Sequence, residues 1–223
     1  MLPASMSTKR DDYRCVAKLH AQSIDQGFLS TLGPRFLALL YRAIDESPDS
    51  VLILAREDDQ VVGFVAGTLD MGPVYRGLLR HWPALILSLA PSLLIPGRLW
   101  RMIEILRHTR RSKDRQAGQA AGTPALAAMP AAASAWPEAE LLSIAVDPAF
   151  RGQGHAEALY AALKAFFASR GVESFRIVVG APLAPAHRFY RRMGAVPAAE
   201  IAVHQGASST VYMQTLNSPD DPA

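Results

Sequence analysis

The segment Leu141–Ala156, LLSIAVDPAFRGQGHA, constrains the fold of this chain more than any other. An apolar strand carrying Leu142, Ile144 and Val146 runs into Asp147-Pro148, then into a turn rich in Arg and Gly, then into a helix. A strand that enters a helix through such a turn builds an anion site. The first-turn N–H groups of the helix have no intrahelical acceptor, and the helix dipole adds positive character there. Gly152 and Gly154 remove Cβ atoms where a ligand would approach the backbone. A pyrophosphate suits such a row of donors. The turn is not a P-loop, because no Gly-Lys-Ser/Thr follows, and its glycine spacing departs from the dinucleotide fingerprint.

The rest of the chain predicts an α/β fold with a mixed sheet. Asp12–Ser23 reads as a helix with Val16, Leu19 and His20 on one face and Asp11 as N-cap. Pro34–Asp45 reads as a second helix, opened by Gly33-Pro34. Val51–Glu57 and Val61–Leu69 read as strands joined by a turn at Asp58-Asp59-Gln60, with Gly63 and Gly67 marking a bulge or a close backbone approach. Glu140–Val146 is the central strand, and period two puts Glu138 and Glu140 on one face with Leu142 and Ile144. The helix Gly154–Ser169, the strand Ser174–Val179 and the helix Ala184–Met193 follow, and Val196–His204 and Thr210–Leu216 form a final hairpin. A first strand would have to come from Leu2–Thr8.

Composition excludes several classes. A net charge of +3 over 223 residues is too mild to argue for nucleic-acid binding. The single cysteine, Cys15, allows no internal disulfide and points to a reducing, cytoplasmic setting; its helical neighbours predict a buried structural thiol. The segment MLPASMSTKRDD carries no long apolar run, so no signal peptide is expected. No His, Cys, Asp or Glu cluster has metal-ligand spacing, so no metal is expected.

Arg151-Gly-Gln-Gly-His-Ala156 fits Arg/Gln-x-x-Gly-x-Gly/Ala after a strand ending in Val-Asp-Pro, with Leu159 and Leu163 continuing one helix face. Downstream, Ala186, Tyr190 and Gly194 fall at the positions of Asn-x-x-Ala-x-x-x-Tyr-x-x-x-Gly-Phe, with Leu183 in place of the Asn and Ala195 in place of the Phe. Together these segments resemble the GNAT superfamily of N-acetyltransferases, well over Glu138–Tyr212 and loosely before it.

The resemblance implies a central twisted sheet with two splayed parallel strands, flanking helices and a helical insertion. Acetyl-CoA would be the co-substrate, its pantetheine arm lying between the splayed strands. Contacts would come from Ile144, Ala145, Val146, Arg151, Gly152, Gln153, Gly154, His155, Ala156, Ala186 and Tyr190. The amide near Ile144 would polarise the thioester carbonyl, and Tyr190 would protonate the departing thiolate. Glu138 or Glu140 would serve as base, through water, with the resemblance favouring Glu138. His155 would offer its backbone N–H, and His187 and His204 are candidate substrate-side groups.

The chain reads as a single domain, 1–223, with a helical insertion at 72–115 and an Ala-rich flexible linker at 116–135. The apolar run 83–95 is too short to span a bilayer and is flanked by arginines. It reads as a packed hairpin, a lid, a homodimer contact or a peripheral membrane contact. The expected reaction is acetyl transfer to a small-molecule primary amine, such as an amino sugar or sugar nucleotide, by direct attack in a ternary complex. The alternatives are a protein acceptor, N-terminal or lysine, since Ser143–Val146 with Glu138 also resembles ribosomal-protein acetyltransferases, and a non-catalytic acetyl-CoA-binding regulatory or membrane-associated module.

Overall fold

The computed structural model describes residues 10–24, 33–80, 136–203 and 207–216. The elements are α1 (Arg10–Ser23), α2 (Pro34–Asp45), β1 (Ser50–Glu57), β2 (Gln60–Thr68), α3 (Met71–Arg80), β3 (Glu140–Val146), α4 (His155–Ser169), β4 (Ser174–Gly180), α5 (Ala184–Arg192), β5 (Val196–Val203) and β6 (Ala207–Thr215). The expected first strand at Leu2–Thr8 lies outside the described residues. So do the insertion beyond Arg80, including the run 83–95, and the linker at 116–135.

The strands form one six-stranded sheet in the order β1-β2-β3-β4-β6-β5. Every neighbouring pair is antiparallel except β3 with β4. The β1–β2 hairpin closes on Asp58 and Asp59, both left-handed at φ 46° and 65°. Two such residues give the turn a twist that matches its strands.

Helices cover both faces. On one, Leu159, Leu163 and Phe167 of α4 pack on Val51, Ile53, Val62 and Val65. On the other, α1, α2 and α3 place Val16, Leu37, Tyr41 and Val74 against Leu52, Leu54 and Phe64. At Gly67 an added Cβ would stand 2.5 Å from Leu163 Cδ1 and 2.9 Å from Phe167 Cζ. The missing side chain is what lets α4 approach the sheet.

Three expectations change. Asp11 lies inside α1 rather than capping it, because the helix begins at Arg10. Cys15 is exposed, on the side of α1 away from buried Val16 and Leu19. The alternation of β3 is interrupted: Ala66 pairs with Ser143 but Gly67 pairs with Leu141, so Leu142 is an extra residue in β3. A bulge of this kind shifts which side chains share a face. Ile144 therefore packs with Leu141 and Val146 on the α4 face, whereas Leu142 packs on the α1–α2 face.

Candidate active site

The site starts from the one parallel pair. Glu140 pairs with Arg176 and Leu141 with Ile177, and there the pairing of β3 with β4 stops. Across β3, the Asp147 N–H donates to the Val62 carbonyl at 2.8 Å. In an antiparallel ladder the direction of these groups alternates. Ala145 and Ser143 therefore point their backbone groups at β2, and Ile144 and Val146 turn theirs toward β4. On β4, the Arg176 N–H reaches the Ala139 carbonyl at 3.0 Å, and the same alternation aims Val178 into the gap. The strands thus part and leave strand-like donors and acceptors facing each other. Such groups require partners when covered, and an amide-bearing arm of extended shape supplies them.

At the open end of the gap the turn is built from side chain and backbone together. Asp147 Oδ1 accepts from the Ala149 N–H at 2.9 Å, starting a short 3-10 turn over Pro148–Phe150. Arg151 is exposed and folds back so that Nε donates to the Val146 carbonyl at 3.1 Å, keeping its terminal nitrogens free of that bond. Gly152 and Gly154 sit at φ 77° and 83°, and an added Cβ at Gly152 would meet nothing within 4 Å. The position is open, and its left-handed φ is what calls for glycine there. The first helical bond of α4 runs from Ala158 N–H to the Gly154 carbonyl, and no side chain caps the helix. The N–H groups of His155, Ala156 and Glu157 are left for an external acceptor. The His155 ring is mostly covered, with Nε2 3.5 Å from Glu57 Oε1, and Gln153 is exposed.

Tyr190 lies on α5 in an aromatic cluster, its ring 6.0 Å from Tyr160 and 6.2 Å from Tyr212. Burial pushes its phenol well above the ordinary value. Its hydroxyl makes no hydrogen bond among the described residues. Ala186, one turn earlier on the same helix, packs against the same core. His187 is committed elsewhere. Its Nε2 donates to the Gly180 carbonyl at 3.1 Å, so the neutral ring accepts at Nδ1 from Tyr212 Oη at 2.8 Å. His204 lies outside the described residues.

The two carboxylates differ. Glu138 is exposed, just before β3. Glu140 is buried, and its Oε2 accepts from Arg176 Nη2 at 3.0 Å and Nε at 3.2 Å. Burial raises the Glu140 carboxyl above its ordinary range, while the guanidinium pulls the other way. At about 3.3 Å per residue, Glu140 stands roughly 13 Å and Glu138 roughly 20 Å along the strand from Ile144. Proton transfer to either would need intervening water.

The spacing rules did not flag a further arrangement. Tyr41 Oη on α2 lies 2.6 Å from His20 Nδ1 on α1 and 2.8 Å from Ser143 Oγ on β3. Its members lie 21 and 102 positions apart, so no local pattern could join them. Among the described residues no group of three or more His, Cys, Asp or Glu could hold a metal ion, and no helix is long and apolar enough to cross a membrane.

A mixed sheet that opens between its two parallel strands, with an uncapped helix N-terminus at the open end, leaves room for an extended, amide-bearing ligand beside β3. The sequence model of the acetyltransferase (GNAT) family matches residues 106–195 of this chain. The fold is similar to that of an aminoglycoside 6'-N-acetyltransferase solved with coenzyme A, at TM-score 0.56 and 11% identity over 99% of this chain and 100% of that one. It is also similar to the ribosomal-protein-S18-alanine N-acetyltransferase from Escherichia coli, at 0.54 and 12% over 100% and 99%. Ard1 from Thermoplasma volcanium gives 0.54 and 15% over 96% and 98%. At these identities the likeness is one of fold. No curated protein matches the sequence.

Proposed function

We propose that the chain transfers the acetyl group of acetyl-CoA to the primary amine of a small molecule by direct attack in a ternary complex. The observation that carries this reading is the gap beyond the Leu141–Ile177 pair, with the Ile144 and Val146 amides turned into it. The pantetheine arm fits there as a strand, the pyrophosphate fits at Gly152–Glu157, and the Ile144 N–H is the donor for the thioester oxygen. A fixed backbone donor at developing oxyanion charge is worth several kcal/mol in such sites, about 3 by analogy.

Tyr190 is the group proposed to meet the departing sulfur. A phenol held above its ordinary value stays protonated and can donate as the thiolate forms. Glu138 and Glu140 act, in this reading, only through water. Support for a small acceptor comes from α3. Met71, Val74 and Leu78 bury this helix on the α1–α2 face, so the long β2–β3 connection starts beside the face that Ser143 presents. That starting point is what favours a small acceptor over a peptide in this reading. Amino sugars and sugar nucleotides remain the proposed class.

The test is CoA release from acetyl-CoA across a panel of amino sugars, sugar nucleotides, polyamines and peptides with free amino termini. Release with a small amine supports the reading, and release with peptides alone replaces it with a protein acceptor. Acetyl-CoA binding by calorimetry without release from any acceptor would favour a binding module. For Tyr190→Phe, kcat should fall about a hundredfold with acetyl-CoA affinity unchanged; an unaltered kcat would remove Tyr190 from the chemistry.

A further inference from the structure

We propose that Ser143 holds the acceptor amine, and that the buried pair Tyr41 and His20 orients the Ser143 hydroxyl so that it accepts a hydrogen bond and does not donate one. The proposal rests on the acetyl-transfer reading and names the group that selects its second substrate.

Tyr41 has one hydroxyl proton and two partners, His20 Nδ1 at 2.6 Å and Ser143 Oγ at 2.8 Å. With His20 in its Nε2–H tautomer, Nδ1 is a far stronger acceptor than an alcohol oxygen, and the phenol proton goes to it. Only 4% of His20 is exposed, and burial lowers its pKa to about 4, so the ring is neutral at ordinary pH and one of its two nitrogens is free to accept. The Tyr41 oxygen is then the acceptor for Ser143, whose proton is committed inward. The remaining lone pairs of Ser143 Oγ are then left to accept from a ligand. A hydroxyl in that state favours an N–H donor and disfavours a carboxylate or carbonyl oxygen, because an acceptor set against an acceptor leaves both unpaired.

Position agrees with chemistry. Ser143 is half-buried, so a ligand can reach it. The bulge at Leu142 turns Ser143 toward Tyr41 and, one residue on, turns the Ile144 amide into the gap. An amine held at Ser143 Oγ therefore lies beside the carbonyl that the Ile144 N–H would polarise. The Ser143–Tyr41–His20 group orients the amine and does not take its proton. Burial lowers the basicity of His20 and raises the phenol of Tyr41 above its ordinary value, so a proton moved inward would be poorly held.

The experiment compares wild type with Ser143→Ala, Ser143→Thr, Tyr41→Phe and the Ser143→Ala/Tyr41→Phe pair, using the best amine of the panel above, with acetyl-CoA affinity by calorimetry in parallel. Ser143→Ala should raise the acceptor KM about tenfold, and Ser143→Thr should restore most of it. Tyr41→Phe should raise KM in the same direction, and the pair should be no worse than Ser143→Ala alone. Acetyl-CoA affinity should stay unchanged throughout, which a general structural defect would not allow. An unaltered acceptor KM in Ser143→Ala, or additive losses in the pair, would overturn the proposal. Should Tyr41→Phe fail to fold, the Ser143→Ala and Ser143→Thr comparison decides alone. Absence of CoA release from wild type with every amine would overturn the acetyl-transfer reading and this proposal with it, whereas wild-type release with Ser143→Ala unaffected overturns only the proposal.

Discussion

His20 shows how one residue changes meaning between sequence and structure. In the helical pattern of α1 it is a polar member of an apolar face. In the structure it is 4% exposed and bonded to Tyr41. Burial lowers its pKa from 6.5 to about 4, which makes stability depend on pH. Between those values the unfolded chain binds the proton and the folded one does not. Stability is therefore full above pH 6.5 and falls as pH drops toward 4, by an amount on the order of 3 kcal/mol. Urea unfolding at pH 7 and pH 4.5 should show the loss, and His20→Gln should flatten it; an equal loss in the variant would assign the effect to other groups. Cys15 teaches the converse. Its apolar neighbours suggested burial, but a helix turns about 100° per residue, and Cys15 falls on the outer side.

At the scale of elements, the turn into α4 and the approach of α4 to β2 each depend on a glycine, for different reasons. Gly154 needs its left-handed φ of 83°, and its position at the helix start leaves the N–H groups of His155 to Glu157 open. Gly154→Val should cost about 1–2 kcal/mol of stability and remove measurable acetyl-CoA binding by calorimetry. Retained affinity would count against a pyrophosphate at this turn. Gly67 is a matter of space. Gly67→Val would drive atoms into Leu163 and Phe167, and the cost should reach about 1–3 kcal/mol or more, read as a fall in Tm. A variant as stable as wild type would mean that α4 yields more readily than its packing indicates. Both glycines stood out in the sequence as interruptions of regular patterns. The bulge at Leu142 did not, because its only mark is a slip of one residue against β2. An apolar run that is covered on both faces has no alternation to lose.

Across the whole molecule, the buried Glu140–Arg176 pair stands where the two halves of the sheet meet. It joins β3 to β4 one residue before their last pair, Leu141 with Ile177, beyond which the sheet opens. Breaking one side of such a pair strands a charge in the interior. Arg176→Met should therefore destabilise the fold by about 3–5 kcal/mol, and Glu140→Leu added to it should recover much of that loss. Chemical denaturation of the single and double variants checks this; additive losses would show that packing, not charge, matters at the junction. The same single and double variants report on function. A clasp that fixes where the gap begins should alter acetyl-CoA affinity when it is lost.

The sequence alone determined the order of the described elements and the strand–turn–helix unit, because these rest on contiguous residues whose spacing follows backbone periodicity. Leu141–Ala156 carried the turn with its uncapped helix start, and with its neighbours carried the resemblance to a family. Tertiary structure decided which groups face one another across the sheet. It paired Glu140 with Arg176, turned Ile144 to the α4 face, and linked His20, Tyr41 and Ser143 from three elements into one polar chain. The proposed donor site follows the backbone, which local sequence encodes. The proposed acceptor site depends on side chains that meet only after the sheet is assembled, through distances that no local spacing records.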